Sequence, residues 1–268
     1  MRSLNAYQLK LLGVVLMVGD HVHYFFMEWG APTLLNALGR IVAPIFIFLS
    51  VEGFIHTRSP ERYMWRLLVG SWVMALGSGW LAWRLPTEKA LFANIFASLF
   101  MGLWFMYFTD LLLKHSRSNP LALGKILLSA LAMLLPWLLD LAKVSVLGQE
   151  PVNLPLLTAL NFIPSPQFIE GGLLFLILAL WFYYTRSLCW VQLLGLIVLS
   201  LGLYWQTNAT ERWSIDLQWM MGLAALPLAL YNGQRGKEHK YFFYLFYPLH
   251  LWALYGLYYV VLTLAVIK

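Results

Sequence analysis

The sequence predicts an all-α fold, a polytopic transmembrane helix bundle of about nine spans with short loops, forming a single domain over residues 1–268. Three observations predict it. Of the residues, 61% are hydrophobic and 11% charged, against about 45–50% and about 25% in soluble domains, which is more apolar surface than a soluble fold hides. Aromatics reach 16%, with 13 Trp and 14 Tyr, and such rings collect where hydrocarbon meets headgroup. The apolar residues fall in runs close to the roughly 20 needed to cross a core of about 30 Å.

The first run, 10–29, follows Met1-Arg2-Ser3-Leu4-Asn5 and contains Asp20 and His21 without a small-residue cleavage site, so it reads as a retained span and not a signal peptide. Further runs cover 36–57, 63–83, 91–113 and 122–142. A long connection from Lys143 to Gln167 holds Pro151, Pro155, Pro164 and Pro166, a density that excludes a continuous helix. Between them Val152 to Phe162 is apolar enough to lie on the membrane or dip into it. The last runs are 168–185, 188–205, 215–232 and 241–266.

A cytoplasmic N-terminus puts Arg2, Lys10, Arg58, Arg62, Arg66, Lys114, Arg117, Lys125, Arg186, Arg235, Lys237 and Lys240 on the inner side. It leaves only Arg84, Lys89, Lys143, Arg212 and Lys268 outside, as the positive-inside rule requires. The net charge of +6 is thus orientational; the cations form no stripe, so nucleic acid is not an expected partner and the lipid bilayer is. Cys189 is the single cysteine, which excludes an internal disulfide and a Cys-rich zinc cluster.

A charge at the bilayer centre costs about 2.5–3.5 kcal/mol on insertion scales, so each one needs a reason. Asp20, His21 and His23 sit midway along the first span, with Asp20 and His23 on one face and His21 on the adjoining one. An imidazole held by a carboxylate suits a general base, its ordinary pKa of about 6.5 lying near working pH. Arg40 opens the second span, with Glu52 and His56 one turn apart near its inner end. Arg40 and Glu52 lie about 18 Å apart along a helix, so each needs a partner elsewhere, and Asp20 is the candidate for Arg40.

Arg62 and Arg66, four apart at a helix start beside Arg58, can bind phosphates through charge and paired N–H groups, or can simply face anionic lipid. Tyr231-Asn232-Gly233-Gln234-Arg235-Gly236-Lys237 is a tight basic turn, and Pro248 and His250 follow in the last span. Asp140 and Lys143 are expected to pair or reach water. There is no G-x-S-x-G, H-E-x-x-H, Walker loop or dinucleotide fingerprint. His21 and His23 point about 200° apart on a regular helix and cannot chelate one ion by themselves, so no metal is expected.

These residues resemble the TraX proteins, named for the enzyme that N-acetylates the pilin of F-type conjugative plasmids. The resemblance rests on Lys10 before Asp20-His21, Gly39-Arg40-Ile41 with Pro44-Ile45-Phe46, Glu52-Gly53-Phe54 to Thr57, and Tyr63 with Arg66-Leu67. It continues in Leu230-Tyr231-Asn232-Gly233 to Arg235-Gly236 and in Phe243-Tyr244 to Tyr247-Pro248-Leu249-His250. It covers both ends of the chain well and the middle, from about Lys114 to Gln218, poorly. The family is similar to wider transmembrane acyltransferases, in which a basic residue precedes an intramembrane His with ten residues between them. Lys10 and His21 have that spacing, with Lys in place of the more usual Arg.

The resemblance implies a multi-pass protein of the bacterial inner membrane that moves an acetyl group from acetyl-CoA, entering from the cytoplasm, to an acceptor. His21, Asp20, Arg40, Glu52 and His250 would form the catalytic group. Lys10, Arg58, Arg62, Arg66, Asn232, Arg235, Lys237 and Tyr247 would hold the coenzyme. A pilin amine or an envelope glycan hydroxyl is the acceptor that fits. The same intramembrane Asp, His and Glu would equally serve a proton-coupled transporter, although no inverted repeat is evident.

Overall fold

A computed structural model describes the chain except for Met1, Arg2, Phe92, Ala93, Ser116, Arg117, Ser118, Asn119, Val152, Arg212, Ser214, Ile215, Glu238 and Lys268. The expected inner cations Arg2 and Arg117, the outer cations Arg212 and Lys268, and the segment ends at Val152 and Ile215 therefore lie outside the described residues. The described residues are mainly helical, in eleven α-helices and two 3-10 segments, with no strand among them and one isolated bridge, Leu4 to Tyr231. The chain divides into two compact units.

The first unit comprises Met1–Leu49, Val73–Phe92 and Tyr184–Lys268. Its central helix α1 spans Ala6–Phe26 and begins in a capping box: Asn5 Oδ1 accepts from Gln8 N–H and Gln8 Oε1 accepts from Asn5 N–H. The next two orphan donors, Ala6 and Tyr7 N–H, reach the Gln234 and Arg235 carbonyls at 2.8 and 3.1 Å. All these donors are therefore met by the chain itself.

Helix α2 (Thr33–Gly39) and helix α3 (Val42–Ile55), joined at Arg40-Ile41, run back along α1. Lipid supplies no hydrophobic force between helices, so close approach at small residues takes its place. A Cβ on Gly13 would lie 2.8 Å from the Phe46 ring, one on Gly19 3.3 Å from Leu35, and one on Gly39 would overlap the Asp20 side chain. The second half of α4 (Pro60–Arg84) meets the last helix in the same way. A Cβ on Gly77 would overlap the Trp252 ring, whose Nε1–H donates to Ser78 Oγ at 3.0 Å.

Helix α5 (Ile95–His115), α6 (Pro120–Leu147), α7 (Leu154–Leu160) and α8 (Gly172–Tyr184) follow, before α9 (Cys189–Gln206) returns the chain to the first unit. From α9 a 3-10 helix, Gln218–Ala224, and α10 (Ala225–Ala229) double back along it: Trp219 packs on Tyr204, and Ser200 Oγ donates to the Trp219 carbonyl. Their combined rise is about 21 Å. The run 215–232 is thus a short return and not a full-length helix. It ends in the basic turn, where Gly233 and Gly236 take φ of 78° and 73°, a conformation open chiefly to glycine. Helix α11 (Lys240–Ile267) then runs parallel to α1: Tyr7 meets Phe243 at one end and Phe25 meets Tyr255 and Tyr258 at the other.

The second unit, Ser50–Trp72 with Ala93–Tyr183, is stitched by polar side chains on apolar helices. Asn94 Nδ2 donates to the Ser71 carbonyl, Ser98 Oγ to the Glu170 carbonyl, Trp104 Nε1 to the Ala132 carbonyl, and Tyr183 to Asp110. Asp140 and Lys143 are buried, at 2% and 1% exposure, and each is used by the proline-rich connection. Lys143 Nζ donates to the Ile163 carbonyl at 3.0 Å and to Ser165 Oγ at 2.8 Å, while Asp140 accepts from Gln167 N–H. Within that connection α7 is capped by Asn153, which accepts from Leu156 N–H.

Six stretches among the described residues are long and apolar enough to cross a bilayer: Ala6–Trp29, Thr33–Ile55, Ile95–Leu113, Leu123–Leu147, Cys189–Gln206 and Tyr241–Ala265. This is a multi-pass arrangement; the other three of the nine expected runs do not meet that length and hydropathy among the described residues. Helix α8 has only 13 residues, the return after α9 is short, and α4 interrupts its apolar residues with Gly70, Ser71, Gly77, Ser78 and Gly79. Because α1 and α11 run parallel, a chain in which both cross makes an odd number of passes, so six is a lower bound.

Candidate active site

The polar groups at the middle of α1 are satisfied in two separate pairs. Arg40 Nη2 donates to Asp20 Oδ1 at 2.7 Å; its Nη1 donates to Gln218 Oε1 at 3.4 Å and its Nε to the Asn36 carbonyl at 3.4 Å. The helix break at Arg40-Ile41 turns the guanidinium back onto α1, and the bare Cα of Gly39 makes room for the carboxylate. The 3-10 helix brings up Gln218, itself steadied by its backbone N–H on Asp216 Oδ1. A guanidinium with three acceptors of which one is charged is held in a fixed plane, as its fork of donors favours.

One residue further along α1, His21 Nδ1 lies 2.8 Å from His250 Nε2, with the two rings stacked at 5.0 Å between centroids. His250 is held from behind: its Nδ1 lies 2.8 Å from the Phe246 carbonyl one turn earlier in α11, and the Phe246 ring stacks on it at 4.9 Å and 10°. Pro248, between them, has no N–H to give to the Tyr244 carbonyl. Tyr247, buried, packs its ring against His250 at 5.9 Å.

This corrects one expectation. Asp20 does not hold His21; its carboxylate goes to Arg40, and the partner of His21 is another imidazole 229 residues away in sequence. Sequence neighbours on a helix point about 100° apart, so a carboxylate aimed at α2 cannot also orient the next ring. The expected Asp20 to Arg40 pair is present. His23 is buried, with its Nδ1 3.0 Å from the Ala31 carbonyl, and closes the turn after α1. Gln218 was missed, because a lone amide in an apolar run carries no periodic signal.

At the N-terminal end of α1 lies a second polar group. Leu4 pairs with the basic turn through Leu4 N–H to the Leu230 carbonyl and Asn232 N–H to the Leu4 carbonyl. Asn232 Oδ1 accepts from Gln234 N–H, and Arg235 and Lys237 are left exposed. Lys10, a turn into α1, lies over the Phe243 ring at 5.4 Å. From Lys10 to His21 the helix rises about 17 Å.

Glu52, Arg58, Arg62 and Arg66 belong to the second unit. There the Glu52 carbonyl accepts from His56 Nδ1, Arg66 lies over the Tyr63 ring, and all three arginines are exposed. Among the described residues no group of three or more His, Cys, Asp or Glu side chains is placed to hold a metal ion.

The sequence model of a protein family described as "TraX protein" matches residues 5–258. Among curated proteins, the chain is similar to the "Probable fimbrial assembly protein FimC, serogroup H1" of Dichelobacter nodosus. The two are 24% identical over 263 residues, covering 92% of this chain and 93% of that protein. No solved structure matches.

Proposed function

Because the chain belongs to the TraX family, we propose that it is a membrane-embedded acetyltransferase of pilus or fimbria assembly. In this reading it moves the acetyl group of acetyl-CoA to an amine of the pilin N-terminal kind, or to a hydroxyl of an envelope glycan. The observation that carries the proposal is the His21 to His250 hydrogen bond inside the first and last helices, one residue from the Asp20 to Arg40 pair. A relative described as a fimbrial assembly protein, similar along almost all of both chains, supports the choice of acceptor.

The chemistry needs a base, a place for developing negative charge and a hold on the donor. His21 accepts the proton of the attacking amine, the amine nitrogen bonds to the thioester carbonyl carbon, the carbon–sulfur bond breaks, and the proton passes to the departing thiolate. Arg40, fixed by Asp20 and Gln218, supplies positive charge to the carbonyl oxygen as it becomes an oxyanion. Lys10, Asn232, Arg235 and Lys237 hold the coenzyme phosphates at the N-terminal end of α1. The helix rise of about 17 Å from Lys10 to His21 is a separation that an extended carrier arm bridges and a compact metabolite does not. A terminal amine with a pKa of about 7.7–8.0 needs little help to become nucleophilic.

Intact mass spectrometry of envelope proteins and glycans, from cells with and without this chain, tests the proposal. One pilin-class protein or glycan is expected to lose the mass of one acetyl group when the chain is absent. Identical acetylation in both sets of cells contradicts it.

A further inference from the structure

We infer that His250 is a positioning residue that fixes the tautomer of His21, so that the atom offered to the acceptor is His21 Nε2. The catalytic consequence rests on the acyl-transfer reading above, whereas the tautomer itself follows from geometry alone.

A carbonyl oxygen can only accept a hydrogen bond. His250 Nδ1 lies 2.8 Å from the Phe246 carbonyl, so Nδ1 carries the hydrogen. In a neutral imidazole the other nitrogen then holds a lone pair. That nitrogen, His250 Nε2, faces His21 Nδ1 at 2.8 Å, so His21 Nδ1 is the donor. One hydrogen per ring is now spent, which leaves His21 Nε2 unprotonated. Among the described residues Nε2 makes no hydrogen bond.

The sequence builds this chain cheaply. Phe246 and His250 are four apart on α11, the spacing that sets a side chain over the carbonyl one turn back. The Phe246 ring, 10° from parallel, keeps the imidazole in plane. The alternative tautomers fail for a definite reason: with Nε2–H on His250, either two N–H groups face each other across 2.8 Å or His250 Nδ1 turns a lone pair on a carbonyl oxygen.

During transfer the amine proton arrives on His21 Nε2 as the C–N bond forms, and leaves to the thiolate sulfur after the C–S bond breaks. The hydrogen on His21 Nδ1 stays within its bond to His250 throughout. While His21 is an imidazolium, that bond becomes charge-assisted and stronger, and the Phe246 carbonyl dipole stabilises any charge shared with His250. The backbone carbonyl thereby takes the part that a carboxylate takes in a Ser-His-Asp triad, and Asp20 is free for Arg40.

The test uses the full chain in lipid nanodiscs with nitrogen-15 histidine. NMR reads the protonated nitrogen of His21, whose signals are assigned by their loss in His21→Gln. The wild type is expected to show His21 protonated on Nδ1, and His250→Phe to lose that preference and at least about a hundredfold in acetyl transfer, the lower range for a general base. In His250→Gln the side-chain carbonyl can accept from Nδ1–H while its amide donates to Phe246, so the tautomer and much of the transfer should return. An Nε2-protonated His21 in the wild type, or an unchanged tautomer in His250→Phe, overturns the inference. A wild type that shows the Nδ1 tautomer yet transfers no acetyl to any amine or hydroxyl upholds the inference and overturns the acetyltransferase reading instead.

Discussion

The Asp20 carboxylate reaches Arg40 at 2.7 Å through space that only glycine at position 39 leaves open. Local backbone and long-range electrostatics are joined at that point. Gly39→Ala puts a methyl group onto the Asp20 side chain, which must move and carry the ion pair with it. We expect a loss of about 1–3 kcal/mol, as for other overpacked sites, read as a lower thermal midpoint in detergent. Gly79→Ala, where a Cβ meets nothing within 4 Å, is the matched control and should leave the midpoint nearly unchanged.

The pair itself is partly exposed, with side chains at 29% and 21%, so its coupling falls short of a fully buried bridge. Removing one partner strands the other inside the membrane. Asp20→Asn and Arg40→Gln should each destabilise the protein, and the double variant should recover part of the combined loss, a coupling of about 1 kcal/mol or more by double-mutant cycle. Strict additivity would show that the pair does not form.

Much of this was legible in the sequence. Helix content and several crossings follow from composition and run length, and the Asp20 to Arg40 pair follows from the cost of stranding either charge at depth. The tight basic turn at 231–237 was legible as well, and Gly233 and Gly236 take positive φ in it. Three features were not legible. The His21 to His250 bond joins opposite ends of the chain, and periodicity says which face a ring is on but not which helix faces it. Gln218 reads as a stray amide until a 3-10 helix brings it to Arg40. Asp140 and Lys143 looked like partners for each other, yet both are used by the backbone and side chains of residues 163–167. Unpaired groups of a proline-rich connection leave no mark in a hydropathy profile.

That last arrangement makes its own prediction. Lys143→Met keeps the stem and removes the two hydrogen bonds to Ile163 and Ser165. Each charged hydrogen bond is worth about 1.5–3 kcal/mol, so amide exchange in residues 163–168 should quicken at least tenfold while that of α1 and α11 stays as it was. Unaltered exchange in the connection would mean that the lysine is not what holds it.

Coenzyme binding separates the acetyltransferase from a proton-coupled transporter built on the same residues. CoA at about a hundred times its dissociation constant should stabilise the protein by about 2.7 kcal/mol, visible as a raised thermal midpoint. Arg235→Ala with Lys237→Ala should reduce the effect, and higher salt should weaken it because both side chains are exposed. No stabilisation by CoA at any concentration favours the transporter.

The most direct test is single-turnover transfer from labelled acetyl-CoA to a peptide bearing a free N-terminal amine, using purified protein in nanodiscs, wild type against His21→Ala. The account predicts label in the peptide with the wild type and at least a hundredfold less with His21→Ala, the general-base range, in protein that still unfolds in a single cooperative thermal transition. Near-normal transfer by His21→Ala would contradict it.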